Sequence, residues 1–300
     1  MTDIVAFLQG HSGVMTALAV LIGLVVGSFL NVVIHRLPRM MEREWREQAA
    51  GVLDEARLDD CARELRSGLA ALTRYNLILP PSSCPGCGHR IRAAENIPII
   101  SYLLLRGRCS NCKAPISVRY PIIEAVSGLL AGVVAWHFGF APAALGAAFF
   151  AWALLALTMI DVDTQLLPDD ISLPLLWVGL LFNFWSTFAA LPEAVTGAAA
   201  GYLSLWAVYW LFKLATGKEG MGFGDFKLLA AIGAWLGWKM LPLVILLSSL
   251  VGAAVGIVLI ALGRHGRSTP IPFGPYLAAA GLIAILWGEH INTTYLQLFR

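Results

Sequence analysis

Apolar residues fill positions 13–34, give way to polar chain over 35–118, then return in seven runs. Those runs cover 120–138, 143–160, 171–189, 194–213, 226–238, 241–262 and 274–291. They show little of the alternation expected of half-buried strands, and most approach the roughly 20 apolar residues a membrane-crossing helix needs. The run 226–238 is short, so it is expected to be tilted or partly re-entrant. The pattern predicts an all-α polytopic membrane protein with about eight transmembrane helices. Within 40–70, Glu and Arg interleave with Ala and Leu, which predicts an exposed amphipathic helix. Leu79–Pro81 breaks that regularity. Three segments follow: 1–34 with the first membrane helix, a large loop 35–119, and a multi-helix membrane domain 120–300. No internal repeat or low-complexity tract interrupts them.

Composition strengthens the membrane assignment. The 300 residues are 58% hydrophobic and 13% charged, with mean hydropathy +0.73, more apolar surface than one soluble core could hide. No Lys or Arg precedes the first apolar run, so a retained helix is expected there rather than a cleaved signal. Of 21 basic residues, 14 lie between Arg36 and Arg119, which places that loop in the cytoplasm. Alternation then puts 161–170, 214–225 and 263–273 on the same side. Lys213, Lys218, Arg264, Arg267 and nearby Lys227 agree with it, while the opposite side holds Lys239 and the terminal Arg300. Acids are interspersed through the basic loop, so topology accounts for its charge and no nucleic-acid partner is expected. Lipid is the expected surrounding.

Two acids stand at the cytoplasmic boundary of apolar runs. Asp161 lies in Ile160-Asp161-Val162-Asp163, and Asp225 in Gly220-Met221-Gly222-Phe223-Gly224-Asp225-Phe226-Lys227. Acids in such places are costly and usually face a bundle interior. Two carboxyl groups brought close share a proton, the arrangement an aspartic peptidase uses on water. Gly222 and Gly224 would let backbone and substrate approach beside the acid. Two other readings stand beside this one: helix caps, since Asp225 opens a run, and a proton or ion relay in a transporter. Asp163, Asp169 and Asp170 fit capping or solvated roles.

Four of the five cysteines form two C-x-x-C pairs, Cys84/Cys87 and Cys109/Cys112, with 21 residues between the pairs. The spacing lies just beyond that of a two-knuckle zinc ribbon. Four thiolates would make a closed, structural zinc site with no open position for catalysis, whereas disulfides do not suit a reducing compartment. Unligated thiols are the alternative. Cys61 is outside the pattern and reads as a free thiol. His89 reads as a surface residue and His35 as interfacial.

Taken together, these segments resemble the type IV prepilin peptidase family of G-x-G-D membrane aspartic peptidases. The resemblance rests on Gly222-Phe223-Gly224-Asp225, Ile160–Asp163 and Leu167-Pro168-Asp169. Gly27-Ser28-Phe29-Leu30-Asn31-Val32, His35-Arg36-Leu37-Pro38, the cysteine loop and Pro270–Pro275 add to it. It implies a catalytic pair at Asp161 and Asp225, in a protein of the bacterial inner membrane. The implied substrates are prepilins and secretion pseudopilins, cut after a basic leader at the cytoplasmic face. Members with such a cysteine loop also transfer a methyl group from S-adenosylmethionine to the freed amine. With no G-x-G-x-x-G motif present, Glu95, Asn96, Gly107 and Glu124 are the candidate contributors to that second site. Glu124 could bind the amine or pair with Arg119. A peptidase without methylation, a proton-coupled transporter and a zinc-ribbon assembly protein are the competing expectations.

Overall fold

The computed structural model describes residues 10–67, 75–262 and 271–297. Arg74, Arg264, Arg267, Pro270 and Arg300 lie outside them. Among the described residues the elements are helical: α1 (Ser12–Glu55), α2 (Asp59–Ser67), α3 (Ile100–Leu104), α4 (Arg119–Phe138), α5 (Pro142–Thr164) and α6 (Asp169–Phe184). Then come α7 (Leu191–Thr216), α8 (Phe223–Leu236), α9 (Leu241–Ala261) and α10 (Gly274–Gln297). Short 3-10 turns occur at Ala93–Asn96 and Trp238–Met240. Each of the eight apolar runs falls largely within a helix. By length and composition, five helical segments could cross a membrane: α1, α4, α5, α7 and the stretch Trp238–Ala261.

One boundary differs from expectation. The first membrane helix does not stop near residue 34. It continues through Pro38 to Glu55 as one 44-residue helix, absorbing much of the separate amphipathic helix expected at 40–70. Ion pairs Arg43–Glu47 and Arg46–Glu42 at i,i+4 support the polar half. The exposed Cys61 lies on α2.

Contacts divide the chain into two units, residues 21–129 and the remainder. In the first, α1 and α4 pack closely at Gly27, where an added Cβ would meet the Glu124 backbone at 2.7 Å and Ser127 Cβ at 2.8 Å. Ser127 donates to the Gly23 carbonyl. Asn31 Nδ2 donates to Gly27 O and Tyr120 O, both at 3.2 Å. Buried Arg36 donates to the carbonyls of Asn76 (2.9 Å) and Pro80 (2.7 Å), holding the segment that leads to the cysteines.

The second unit is organised around α8. Its 14 residues span about 21 Å, and from Asp225 to Trp235 almost every side chain is buried. A helix apolar on all sides must be enclosed, and α6, α7 and α10 all pack against it. Against α7 the approach is backbone to backbone. A Cβ on Gly233 would lie 2.2 Å from Gly197 O, and one on Gly201 2.6 Å from Leu229 O. Gly197 and Gly201 are a G-x-x-x-G pair, the spacing that lets helices in lipid touch directly. Trp235 packs among Phe150, Phe182 and Phe188 with centroids 5.1–5.5 Å away. Its indole N–H donates to Leu175 O at 2.8 Å. Fully buried Asn183 donates to Ala234 O and Trp235 O and accepts from the amides of Phe188 and Ala189. These bonds occupy carbonyls at the inner end of α8, which would otherwise lack partners.

Gly233→Ala should destabilise the second unit by roughly 3 kcal/mol, the upper end for overpacking, because backbone rather than a side chain must move. Denaturation in detergent measures it, with Gly51→Ala, whose Cβ meets nothing within 4 Å, as the neutral control.

Candidate functional site

The two boundary acids both lie in the second unit. Asp161 is in the last turn of α5, which closes on Gln165 in the left-handed conformation (φ 56°) with its amide on Asp161 O. Asp225 is in the first turn of α8. They are 4% and 7% exposed, respectively, and close enough to interact electrostatically. Asp163 is exposed. Residues two apart on a helix point to nearly opposite sides, so only one of these neighbours can enter the bundle.

Three contacts shape the site. Gly274 at the start of α10 donates its N–H to Asp161 Oδ2 at 3.0 Å. Gly224 abuts Leu167, whose Cβ would be 2.7 Å from an added methyl, so glycine here serves helix approach. Gly222 meets nothing closer than 4.0 Å and is not needed for space. Lys227 Nζ bonds both oxygens of Asp169 at 2.8 and 2.7 Å, tying the first turns of α6 and α8 together. Capping explains Asp225 only in part. The Gly222 amide reaches its carboxyl group, but Oδ1 is buried without a hydrogen-bond partner.

In the first unit the two C-x-x-C segments fold as near copies. The first cysteine of each accepts a backbone N–H from four residues on, Gly88 to Cys84 and Lys113 to Cys109. Those donors have positive φ, 70° and 60°. The cysteine amides donate to His89 O and Ala114 O at 2.9 Å, and bridges Ser83–Arg90 and Arg108–Pro115 close each loop. All four sulfurs lie within 4.8 Å of one another, and Cys84 Sγ is 3.7 Å from Cys112 Sγ. Four sulfurs at about 2.3 Å from a tetrahedral ion would be about 3.8 Å apart, so the set could hold a metal ion. Backbone N–H groups already favour thiolates. The His89 amide brings Cys87 down to about 7, and the amides of Cys112 and Asn111 lower Cys109. The Ala114 amide acts the same way on Cys112, but the neighbouring thiols and burial outweigh it and raise that group to about 11.

The four methyl-transfer candidates lie in the first unit, and three of them make defined local contacts. Glu95 accepts the Arg92 amide at 2.8 Å, and bonds to Ser110 and His89 help hold its carboxyl at about 2. It therefore fastens the 3-10 turn to the second knuckle, and the His89 ring bonds this acid while the His89 backbone amide serves Cys87. Gly107 has φ 66°, and a Cβ there would sit 2.9 Å from the Tyr102 hydroxyl. Asn96 ends the 3-10 turn, exposed. Glu124 Oε2 accepts the Ile99 amide at 2.8 Å, and Ser28 also bonds to it.

The comparisons with known proteins agree with this division. Residues 21–138 match the bacterial peptidase A24 N-terminal domain, and 148–257 match the type IV leader peptidase family. A prepilin leader peptidase/N-methyltransferase of Stutzerimonas stutzeri is 56% identical over 99% of both chains. The chain belongs to the type IV leader peptidase family. Proteins of the same name from Pseudomonas aeruginosa (55% identity, 97% of each chain) and Aeromonas hydrophila (55%, 94% of each) show the same relation to this family member. No solved structure matches the chain. Three features of this leader-peptidase fold escaped the sequence: the Gly274–Asp161 bond, the Lys227–Asp169 pair and the Gly197/Gly233 contact. Only the last had a readable signal, the G-x-x-x-G spacing.

Glu95→Ala should speed deuterium uptake at the Arg92 amide at neutral pH. Hydrogen–deuterium exchange of peptides spanning 90–97 measures it, with unchanged uptake in α8 as the internal reference.

Proposed function

We propose that this chain removes the basic leader from type IV prepilins and pseudopilins, then methylates the new N-terminus with S-adenosylmethionine. The proposed place is the bacterial inner membrane, with chemistry at the cytoplasmic face. The observation that carries the peptidase reading is the convergence of Asp161 and Asp225, from the ends of α5 and α8, as two buried carboxyl groups. Groups so placed share a proton: the ionised one takes a proton from water and the other donates to the scissile carbonyl. Water attacks directly, so no covalent enzyme intermediate is required. The names carried by relatives of near-full-length match support both activities.

The four-cysteine cluster fits zinc in number, ligand type and sulfur spacing. Cys84, Cys87, Cys109 and Cys112 would hold it, and the ion would cross-link the two knuckles. Glu95, Asn96, Gly107 and Glu124 remain the candidates for the S-adenosylmethionine site, where Glu95 and Glu124 also accept backbone amides of the same unit. The freed amine, ordinarily near pKa 8, must lose its proton before it can accept a methyl group.

Mass spectrometry of a purified prepilin tests the peptidase, with and without S-adenosylmethionine. Leader removal is expected to fall about 100-fold or more in Asp161→Asn and in Asp225→Asn, and retained cleavage in either would sink the assignment. Cys84→Ser combined with Cys112→Ser should keep cleavage, lose the added methyl mass and lose bound zinc by elemental analysis. Cleavage without a methyl in the unmodified protein would leave a peptidase alone.

A further inference from the structure

The two catalytic aspartates differ in what touches them, and the difference lies outside the G-x-G-D motif. The first turn of a helix presents N–H groups without intrahelical partners. In α10 few remain: Pro275 has none, and the amides of Tyr276 and Leu277 both bond to Phe273 O. The Gly274 N–H points out of the turn onto Asp161 Oδ2 at 3.0 Å. Only glycine permits this approach, since a Cβ would lie 2.6 Å from the same oxygen and 3.1 Å from Leu167 Cδ2. Asp161 therefore meets both a directed donor and the positive end of a second helix, which favour a negative charge. Asp225 sits in the first turn of its own helix and is reached by the Gly222 amide. Even so, Oδ1 remains buried with no donor on it. A buried carboxylate oxygen in that state is costly, whereas a hydroxyl there carries the donor that a substrate carbonyl requires.

We propose that Gly274 is the positioning residue that makes Asp161 the ionised base and leaves Asp225 as the proton-bearing acid. This rests on the peptidase reading above. Asp161 takes a proton from water as the water oxygen bonds to the scissile carbon, and Asp225 Oδ1–H gives its proton to the carbonyl oxygen. The gem-diol then returns one hydroxyl proton to Asp225, Asp161 gives its proton to the leaving nitrogen, and the C–N bond breaks. Both groups end as they began, ready for the next substrate. The order of roles cannot be exchanged without moving Gly274 from one carboxyl group to the other.

The test is made on the full chain in detergent. Infrared difference spectra of the resting protein report the C=O stretch of a protonated carboxylic acid. The band should vanish in Asp225→Asn and persist in Asp161→Asn; the opposite pattern, or loss in both, would overturn the proposal. Replacing the Gly274 amide by an ester removes only the N–H. It should lower kcat about 10-fold or more, with KM within about two-fold. Gly274→Ala should behave likewise while keeping the thermal transition of the second unit. An ester variant with unchanged kcat overturns the role of Gly274 while leaving the aspartate pair intact. Cleavage by either Asn variant overturns the pair itself.

Discussion

A short helix enclosed on nearly every side is the constraint that the second unit is built to meet. Because α8 buries both its flanks, it has no polar face on which to place an acid, and Asp225 can stand only at its open end. Enclosure demands direct backbone contact, which Gly197, Gly201 and Gly233 provide by having no side chain at the crossing with α7. It also demands that the inner end be satisfied, which Asn183 achieves from α6 with all its polar capacity used. The Trp235 cluster fills the remaining volume. The position of Asp225 is thus a consequence of packing several turns away.

The same logic explains why both acids stand at helix ends. α5 ends with Asp161 in its last turn, and the chain passes through Leu167 into α6. Gly224 lets α8 begin against that connection, so the beginning of one helix faces the end of another. The Lys227–Asp169 pair ties α8 to α6 at the same level. α10 completes the site from the far end of the sequence by aiming one backbone N–H at Asp161. The two buried acids lie at helix termini, where backbone dipoles can act on them.

In the other unit, rigidity comes from repetition. The two cysteine knuckles reproduce one another's hydrogen bonds, positive-φ residues and bridges, and Glu95 joins the turn before α3 to the second of them. Glu124 then fixes Ile99 from within an apolar helix. Residues that look free for ligand chemistry when read singly also fasten this unit, Glu95 through the Arg92 amide and Glu124 through the Ile99 amide.

Much of this was legible beforehand. Long apolar runs without strand-like alternation pointed to helices, and each of the eight falls largely within one, five segments being long and apolar enough to cross a membrane. Paired cysteines dictated the knuckles, because their geometry is local, and the G-x-G-D and Ile160–Asp163 segments marked the candidate acids. What the sequence left open depended on contacts between distant residues. The continuation of α1 through Pro38 ran against a local signal that normally ends a helix. The choice of Asp161 over Asp163 needed the orientation of α5 in its bundle, and the separate duties of Glu95, Gly107 and Glu124 needed their neighbours. The Gly274 amide, 113 positions from the acid it holds, is a backbone group that every residue but proline carries. No residue type announces it, so only the tertiary structure could single it out.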